Sequence, residues 1–398
     1  MTMKRRTFLQ TSGLATMSML VPKFLKAREN INSISSNKIL VVVQLSGGND
    51  GLNTVVPYEN DLYYQARPSI AIKKSEVLKL DTLLGLHPNL HGFKKLYDAG
   101  NMCLINNVGY PDPDRSHFRS TDIWQTASNS NEYLSTGWLG RYLDVVCNQC
   151  ERPTHAIEID DTLSLALKGA QVKGLAFKDP KKWYNTTTDN FFKLLSKQHS
   201  EAHEHDTAGY LYKTLSETIS SASYIYNTSK IYQSSSVFPN HAFGKNLKTI
   251  AELIVSGVQT QVYYVTLTGF DTHNNQQKRQ GVLLQQLADT IDVFFNDLKK
   301  SGRADDVLLM TFSEFGRRVQ ENASNGTDHG TANQIFLFGN KLKKQGIYNE
   351  APNLSSLDDG DLKYTVDFRN VYATILHNWL QTNEHLILSN SPSLLNFI

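Results

Sequence analysis

The stretch Lys38-Ile-Leu-Val-Val-Val-Gln-Leu45 is apolar at nearly every position and stops at Ser46-Gly47-Gly48-Asn49-Asp50-Gly51. A strand with one wet face alternates apolar and polar residues. An unbroken β-branched run instead reads as a central strand covered on both faces. Similar runs follow at Met102–Val108, Val262–Leu267, Val307–Phe312 and Ile335–Phe338. Helical spacing lies between them. His87–Ala99 reads as a helix stopped by Gly100. Leu283, Leu287, Ile291, Phe294 and Leu298 make one apolar face stopped by Gly302. The alternation predicts an α/β fold: a doubly wound, mostly parallel sheet with helices on both faces. Residues from about 150 to 240 are less regular and read as a helical insertion or cap on a domain spanning 38–390. That region holds His199-Ser-Glu-Ala-His203-Glu-His205, which reads as a solvated helix face or loop.

The 40 Lys+Arg nearly balance the 38 Asp+Glu in 398 residues, so nothing in the charge calls for nucleic acid. Three cysteines, Cys103, Cys147 and Cys150, do not make a disulfide framework. Cys147-Asn-Gln-Cys150 has redox spacing without a thioredoxin-type context, so a structural or incidental role is expected.

The N-terminus has the layout of an export signal. Lys4-Arg5-Arg6-Thr7-Phe8-Leu9-Gln10 is a basic region ending in paired arginines. A short apolar stretch covers Gly13 to Val21, and Ala27 is a plausible cleavage neighbour. The stretch is too short to span a bilayer. It resembles twin-arginine signals, which predicts a signal peptide at 1–27 and a polar linker at 28–37. It also predicts use of the twin-arginine translocase and a periplasmic or secreted mature chain. No other segment has transmembrane length.

In open parallel sheets, ligands bind outside the carboxyl ends of the strands. Asp50 follows the first strand. Asp271 and His273 follow the third, and Glu314 follows the fourth. Asp328 and His329 precede the last strand, in a loop that could return to the same edge. Each residue has a bland reading as turn chemistry. Together they are oxygen and nitrogen donors suited to a divalent ion such as Zn, Mn or Mg. Ser116, in Asp112-Pro-Asp-Arg-Ser-His-Phe118, stands before a helix-like run. It is either a nucleophile or, like Asp114, an N-cap. Arg115, Arg119 and Arg317 are candidates to meet an anion.

These motifs carry a family resemblance. Leu45-Ser-Gly-Gly-Asn-Asp-Gly-Leu-Asn53, Asp114-Arg-Ser-His-Phe118, Gly137-Trp-Leu-Gly-Arg141, Phe270-Asp-Thr-His273, Phe312-Ser-Glu-Phe-Gly-Arg317, Asp328-His-Gly330 and Asp367-Phe-Arg369 resemble domain-of-unknown-function family 1501. That family is similar to the alkaline phosphatase and sulfatase superfamily of metal-dependent hydrolases. The resemblance implies the doubly wound fold, with Asp50 as the first-strand metal aspartate and Ser116 as nucleophile. It implies Asp271, His273 and His329 as further metal ligands. Glu314 and Phe315 stand where an Asp-His pair is expected. One or two ions therefore remain open.

Two functions follow. One is an exported metal-dependent hydrolase of phosphate or sulfate esters, taking a small anionic ester or glycan. In its mechanism Ser116 attacks while Arg115, Arg119 or Arg317 neutralises charge. The other is a non-catalytic binding protein, or a partner of another exported protein, that kept the fold.

Overall fold

The computed structural model of the chain describes residues 37–147, 154–190, 192, 207–389 and 392–398. The expected signal peptide, Cys150 and the histidines at 199, 203 and 205 lie outside the described residues. Strands β1 (Ile39–Ser46), β2 (Met102–Gly109), β3 (Ala156–Glu158), β4 (Leu175–Ala176), β5 (Val262–Thr268), β6 (Val307–Phe312), β7 (Asn333–Phe338), β8 (Gly346–Ile347) and β9 (Val366–Asp367) form one sheet. Their order is β8-β2-β7-β6-β1-β5-β3-β4, and β9 also pairs with β2.

The apolar run at 39–45 lies at the centre, parallel to both neighbours, with Val42 opposite Tyr264 and Met310. Val41 and Val43 enter one core, while Leu40 and Val42 enter the other. Both faces are buried, so no polar alternation is needed. Helices α2 (His91–Asp98), α7 (Ala242–Val255) and α8 (Gln276–Lys300) cover the first face. Helices α3 (His117–Thr126), α4 (Trp138–Val146) and α9 (Phe368–Thr374) cover the second. A short helix, α1 (Asp61–Ala66), lies outside these two layers. The α8 face buries Leu284, Leu287, Ile291, Phe294 and Leu298. Each such side chain contributes roughly 1.5–3 kcal/mol. The fold class expected from the sequence is therefore the one observed.

Three details differ. Helix α2 starts at His91 rather than His87. The His87 Nδ1 accepts the Asn89 N–H at 3.0 Å and holds a turn there. The region expected to be a cap contributes β3 and β4 to the sheet edge, with Ile157 opposite Tyr263. Strands this short carry too little periodicity to be read. Helices α5 (Pro180–Thr187) and α6 (Thr207–Ser229) then pack together, Tyr184 stacking on Tyr226 at 4.5 Å. Finally, β7 runs antiparallel to both β2 and β6. Its leading loop therefore opens at the carboxyl edge of the parallel strands.

Candidate metal centre

The edge is assembled by glycines and one arginine. Gly47 and Gly48 have φ of +120° and +71°. A Cβ on Gly47 would lie 2.3 Å from the Asp271 nitrogen, and one on Gly48 2.2 Å from the Phe315 ring. Only glycine meets both demands. The loops after β1, β5 and β6 thereby come into contact. Arg317, fully buried, laces them together. Its Nε donates to the Gly48 carbonyl at 2.7 Å, its Nη1 to the Thr327 carbonyl at 2.8 Å, and its Nη2 to the Gly47 carbonyl at 2.5 Å and Asp271 Oδ1 at 2.6 Å.

Around Asp271 Oδ1 stand three imidazole nitrogens: His273 Nε2 at 3.1 Å, His329 Nε2 at 3.4 Å and His117 Nε2 at 3.5 Å. The Nε2 atoms of His273 and His329 are 2.9 Å apart. His117, Asp271 and His329 each offer an atom within 4.8 Å of the others'. Nitrogen and oxygen ligands lie about 2.0–2.2 Å from Zn, so ligand atoms on a tetrahedral ion are about 3.3 Å apart. The separations from Asp271 Oδ1 and between His273 and His329 bracket that value, while the His117, Asp271 and His329 set spreads to within 4.8 Å and would draw in around an ion.

The other nitrogen of each ring faces an acceptor. His117 Nδ1 meets Glu314 Oε1 at 2.9 Å, His273 Nδ1 meets Asp328 Oδ1 at 3.1 Å, and His329 Nδ1 donates to the Arg115 carbonyl at 2.8 Å. An imidazole whose Nδ1 donates presents a bare lone pair at Nε2 when neutral. Glu314 and Asp328 thus act on the rings rather than converging with the Nε2 atoms, which is the usual support of a metal-binding histidine. His117 Nε2 is buried without a hydrogen-bond partner. Arg317 answers the charge of Asp271 but its donors do not reach the three ring nitrogens, whose lone pairs repel one another unless a further cation lies among them. The donor set therefore fits a divalent ion.

The electrostatics agree. For Asp271, partial burial opposes ionisation, but the Arg317 hydrogen bond and charge outweigh it and hold the carboxyl at about 2. Burial lowers the proton affinity of His329, which favours the neutral ring. The Glu314 hydrogen bond raises that of His117, so a proton and a cation compete for its Nε2. Asp271 and His273 are 48% and 41% exposed, which leaves one side open to solvent.

Other expected site residues are placed differently. Asp50 does not join this cluster; it forms a fully buried ion pair with Arg67. Arg115 is bound by Asp359 and Asp361, and Arg119 donates to the carbonyls of Asn129, Ser130 and Glu132. Arg317 serves the loops. All three arginines expected to meet an anion are thus spent on the protein itself. Ser116 occupies the N-cap position of α3, exposed, and its side chain makes no cap hydrogen bond. Phe315 packs against the His117 and His329 rings at 4.9 and 4.7 Å. Cys147 is disulfide-bonded, while Cys103 is a buried free thiol.

Sequence reasoning missed His117 and Arg67. His117 stands in the motif after β2, but its place at this edge follows from the direction of β7, which the sequence does not show. Because β7 is antiparallel to both β2 and β6, β2 runs with β6, and the segment after it reaches the same carboxyl edge. His117, beside Ser116, opens the helix that follows.

Fold and site together define an α/β protein with a three-histidine, one-carboxylate cluster at the carboxyl edge of its sheet. The chain belongs to the family described as "Protein of unknown function (DUF1501)", whose model matches residues 98–391. All four clustered residues fall within that span. Solved structures similar to the chain include the zinc complex of the C-terminal periplasmic domain of EcEptC from Escherichia coli. It shares 12% identity over 78% of this chain and 75% of that one, with a TM-score of 0.38. The lipoteichoic acid synthase LtaP from Listeria monocytogenes shares 10% over 79% and 69%, at 0.35. The PsFucS1 sulfatase from Pseudoalteromonas sp. shares 10% over 84% and 67%, at 0.35. No curated protein matches the sequence. No helix among the described residues is long and apolar enough to cross a membrane.

Proposed function

We propose that this chain is a metal-dependent hydrolase of phosphate or sulfate esters that works outside the cytoplasm. The convergence of three imidazole nitrogens on Asp271 Oδ1, with the buried His117 Nε2 left without a partner, carries the reading. His117, Asp271, His273 and His329 would hold the ion. An ion there supplies Lewis acidity toward an ester oxygen and lowers the pKa of a hydroxyl or water nearby.

The chain's own residues do the rest. The exposed Ser116 hydroxyl adjoins His117 at the start of α3, where backbone N–H groups favour an anion. It is the nucleophile in this reading. Glu314 fixes the His117 ring, Asp328 the His273 ring and the Arg115 carbonyl the His329 ring. Arg317 keeps Asp271 ionised and in place. A cleft of about 680 Å³ lined by Tyr110, Asp114, Arg115, Trp124, Phe315 and Lys363 borders the site and would receive the rest of the substrate.

One observation favours a non-catalytic reading, an exported metal-binding or partner protein: the three candidate arginines already have protein partners. The test is hydrolysis of nitrophenyl phosphate, phosphonate and sulfate esters. A chelator-sensitive activity that falls at least about 100-fold in Ser116→Ala supports the hydrolase. A metal-loaded protein inert toward all three leaves the non-catalytic reading.

A further inference from the structure

Asp50 lies in the loop after the central strand and caps the one-turn helix Gly51–Thr54, yet its carboxylate is already full. An ionised carboxylate has about four acceptor positions. Oδ1 accepts the Leu52 N–H at 3.2 Å and Arg67 Nη2 at 3.0 Å. Oδ2 accepts Arg67 Nη1 at 2.5 Å and the Gln276 amide. Arg67 is equally spent. Its five N–H groups go to the Val319 carbonyl, Asp50 Oδ2, Asn53 Oδ1, Asp50 Oδ1 and the Arg318 carbonyl. Both side chains have no exposure. Nothing in this pair lacks a partner.

The contrast with the histidine cluster is direct. There, a buried nitrogen is orphaned and lone pairs face one another. Here, charge and hydrogen bonding close with protein groups alone. Gln276 joins the two places. Its amide nitrogen donates to Asp50, and its carbonyl accepts from the Thr272 and Thr327 hydroxyls. Thr272 lies between Asp271 and His273, and Thr327 precedes Asp328 in sequence.

We propose that Arg67 is a built-in replacement for a second metal ion: the protein holds one divalent cation, and the guanidinium is the fixed counter-charge that closes off Asp50. This rests on the metal-centre reading above. It removes the two-ion alternative that the resemblance left open and makes Asp50 a structural residue. A guanidinium with five committed donors does not exchange with solvent, so chelation cannot strip this charge from the edge.

The experiment is metal analysis of the purified full chain after equilibration with excess zinc and removal of free ion, with zinc affinity measured by competition against a chromophoric chelator. The wild type is expected to retain one ion. Asp50→Asn is expected to retain one, with unchanged affinity. Loss of a group that binds or orients a ligand costs roughly 10–100-fold. Because Asp50→Asn leaves Arg67 buried and uncompensated, the double variant Asp50→Asn with Arg67→Gln guards against misfolding and is expected to hold one ion as well. Two ions in the wild type, or a single ion lost in the double variant while circular dichroism stays native, overturns the proposal. Failure of the metal-centre reading shows differently: the wild type then takes up no ion, or keeps it in His329→Ala. The first of those results overturns both.

Discussion

At the residue scale, the informative atoms are the ring nitrogens that point away from the proposed ion site. Glu314 is buried, and one of its oxygens serves two elements at once. Its Oε1 accepts the Gly47 N–H at 2.8 Å, which holds the β1 loop, and also meets His117 Nδ1. Glu314→Gln keeps the size and one acceptor but loses the charge that makes the imidazole a strong ligand. Zinc affinity is expected to fall about 10–100-fold with the fold intact. Competition titration checks this. An unchanged affinity would show that His117 needs no charged support. The same residue shows how partly the site can be read from sequence. Glu314 stands at a strand end, so its presence at the edge was predictable. Its role as support for a ring brought from 197 residues away was not, because that depends on which loops touch.

At the element scale, the start of α2 controls a pH response. His87 is buried, its Nδ1 accepts the Asn89 N–H, and Asn89 Nδ2 donates to the Gly281 carbonyl on α8. Burial lowers its pKa to about 4. Between that value and the ordinary 6.5 the unfolded chain binds a proton that the folded chain does not, so this contribution to stability falls as pH falls. From pH 7 to pH 5 it amounts to roughly 2 kcal/mol. Urea unfolding at the two pH values should show a drop that His87→Gln reduces by about that amount. An identical pH slope in the variant would assign the loss to other groups. The core strands were legible because burial on both faces removes alternation, and α8 because its apolar face, Leu284 to Leu298, repeats over about four turns. The edge strands β3 and β4 were not, since two or three residues carry no period. Nor was the reversal of β7, for its composition is the same in either direction. Asp50 misled for a related reason. A carboxylate after a Gly-Gly turn looks available, and only the fold reveals that Arg67, 17 residues on, fills it.

For the whole molecule, the central question is where it works. The paired Arg5 and Arg6 ahead of Phe8 and Leu9 are the basis for the proposal that it works on the far side of the cytoplasmic membrane. Replacing both arginines with lysine keeps the charge of the leader and removes the paired guanidinium groups. Precursor is then expected to accumulate in the cytoplasm, with at least about a tenfold loss of exported protein if guanidinium recognition is required. Fractionation followed by immunoblotting reads this out. An unchanged exported yield would assign the chain to a route that ignores the pair.

The reversal of β7 also ties the proposed ion to the stability of the sheet. His273 and His329 meet across 56 residues, and His117 approaches them from the far side of the sheet order, through the loop after β2. Closing loops of this length costs entropy that only the paired strands repay. The three imidazoles come together only where these loops meet, so an ion at the proposed site would bind the assembled sheet in preference to the unfolded chain. By mass action such an ion would lock that sheet, adding about 2.7 kcal/mol once free ion stands at a hundred times its dissociation constant. With an ion in the proposed site, such a molecule would carry its own clasp across loops from both halves of its chain.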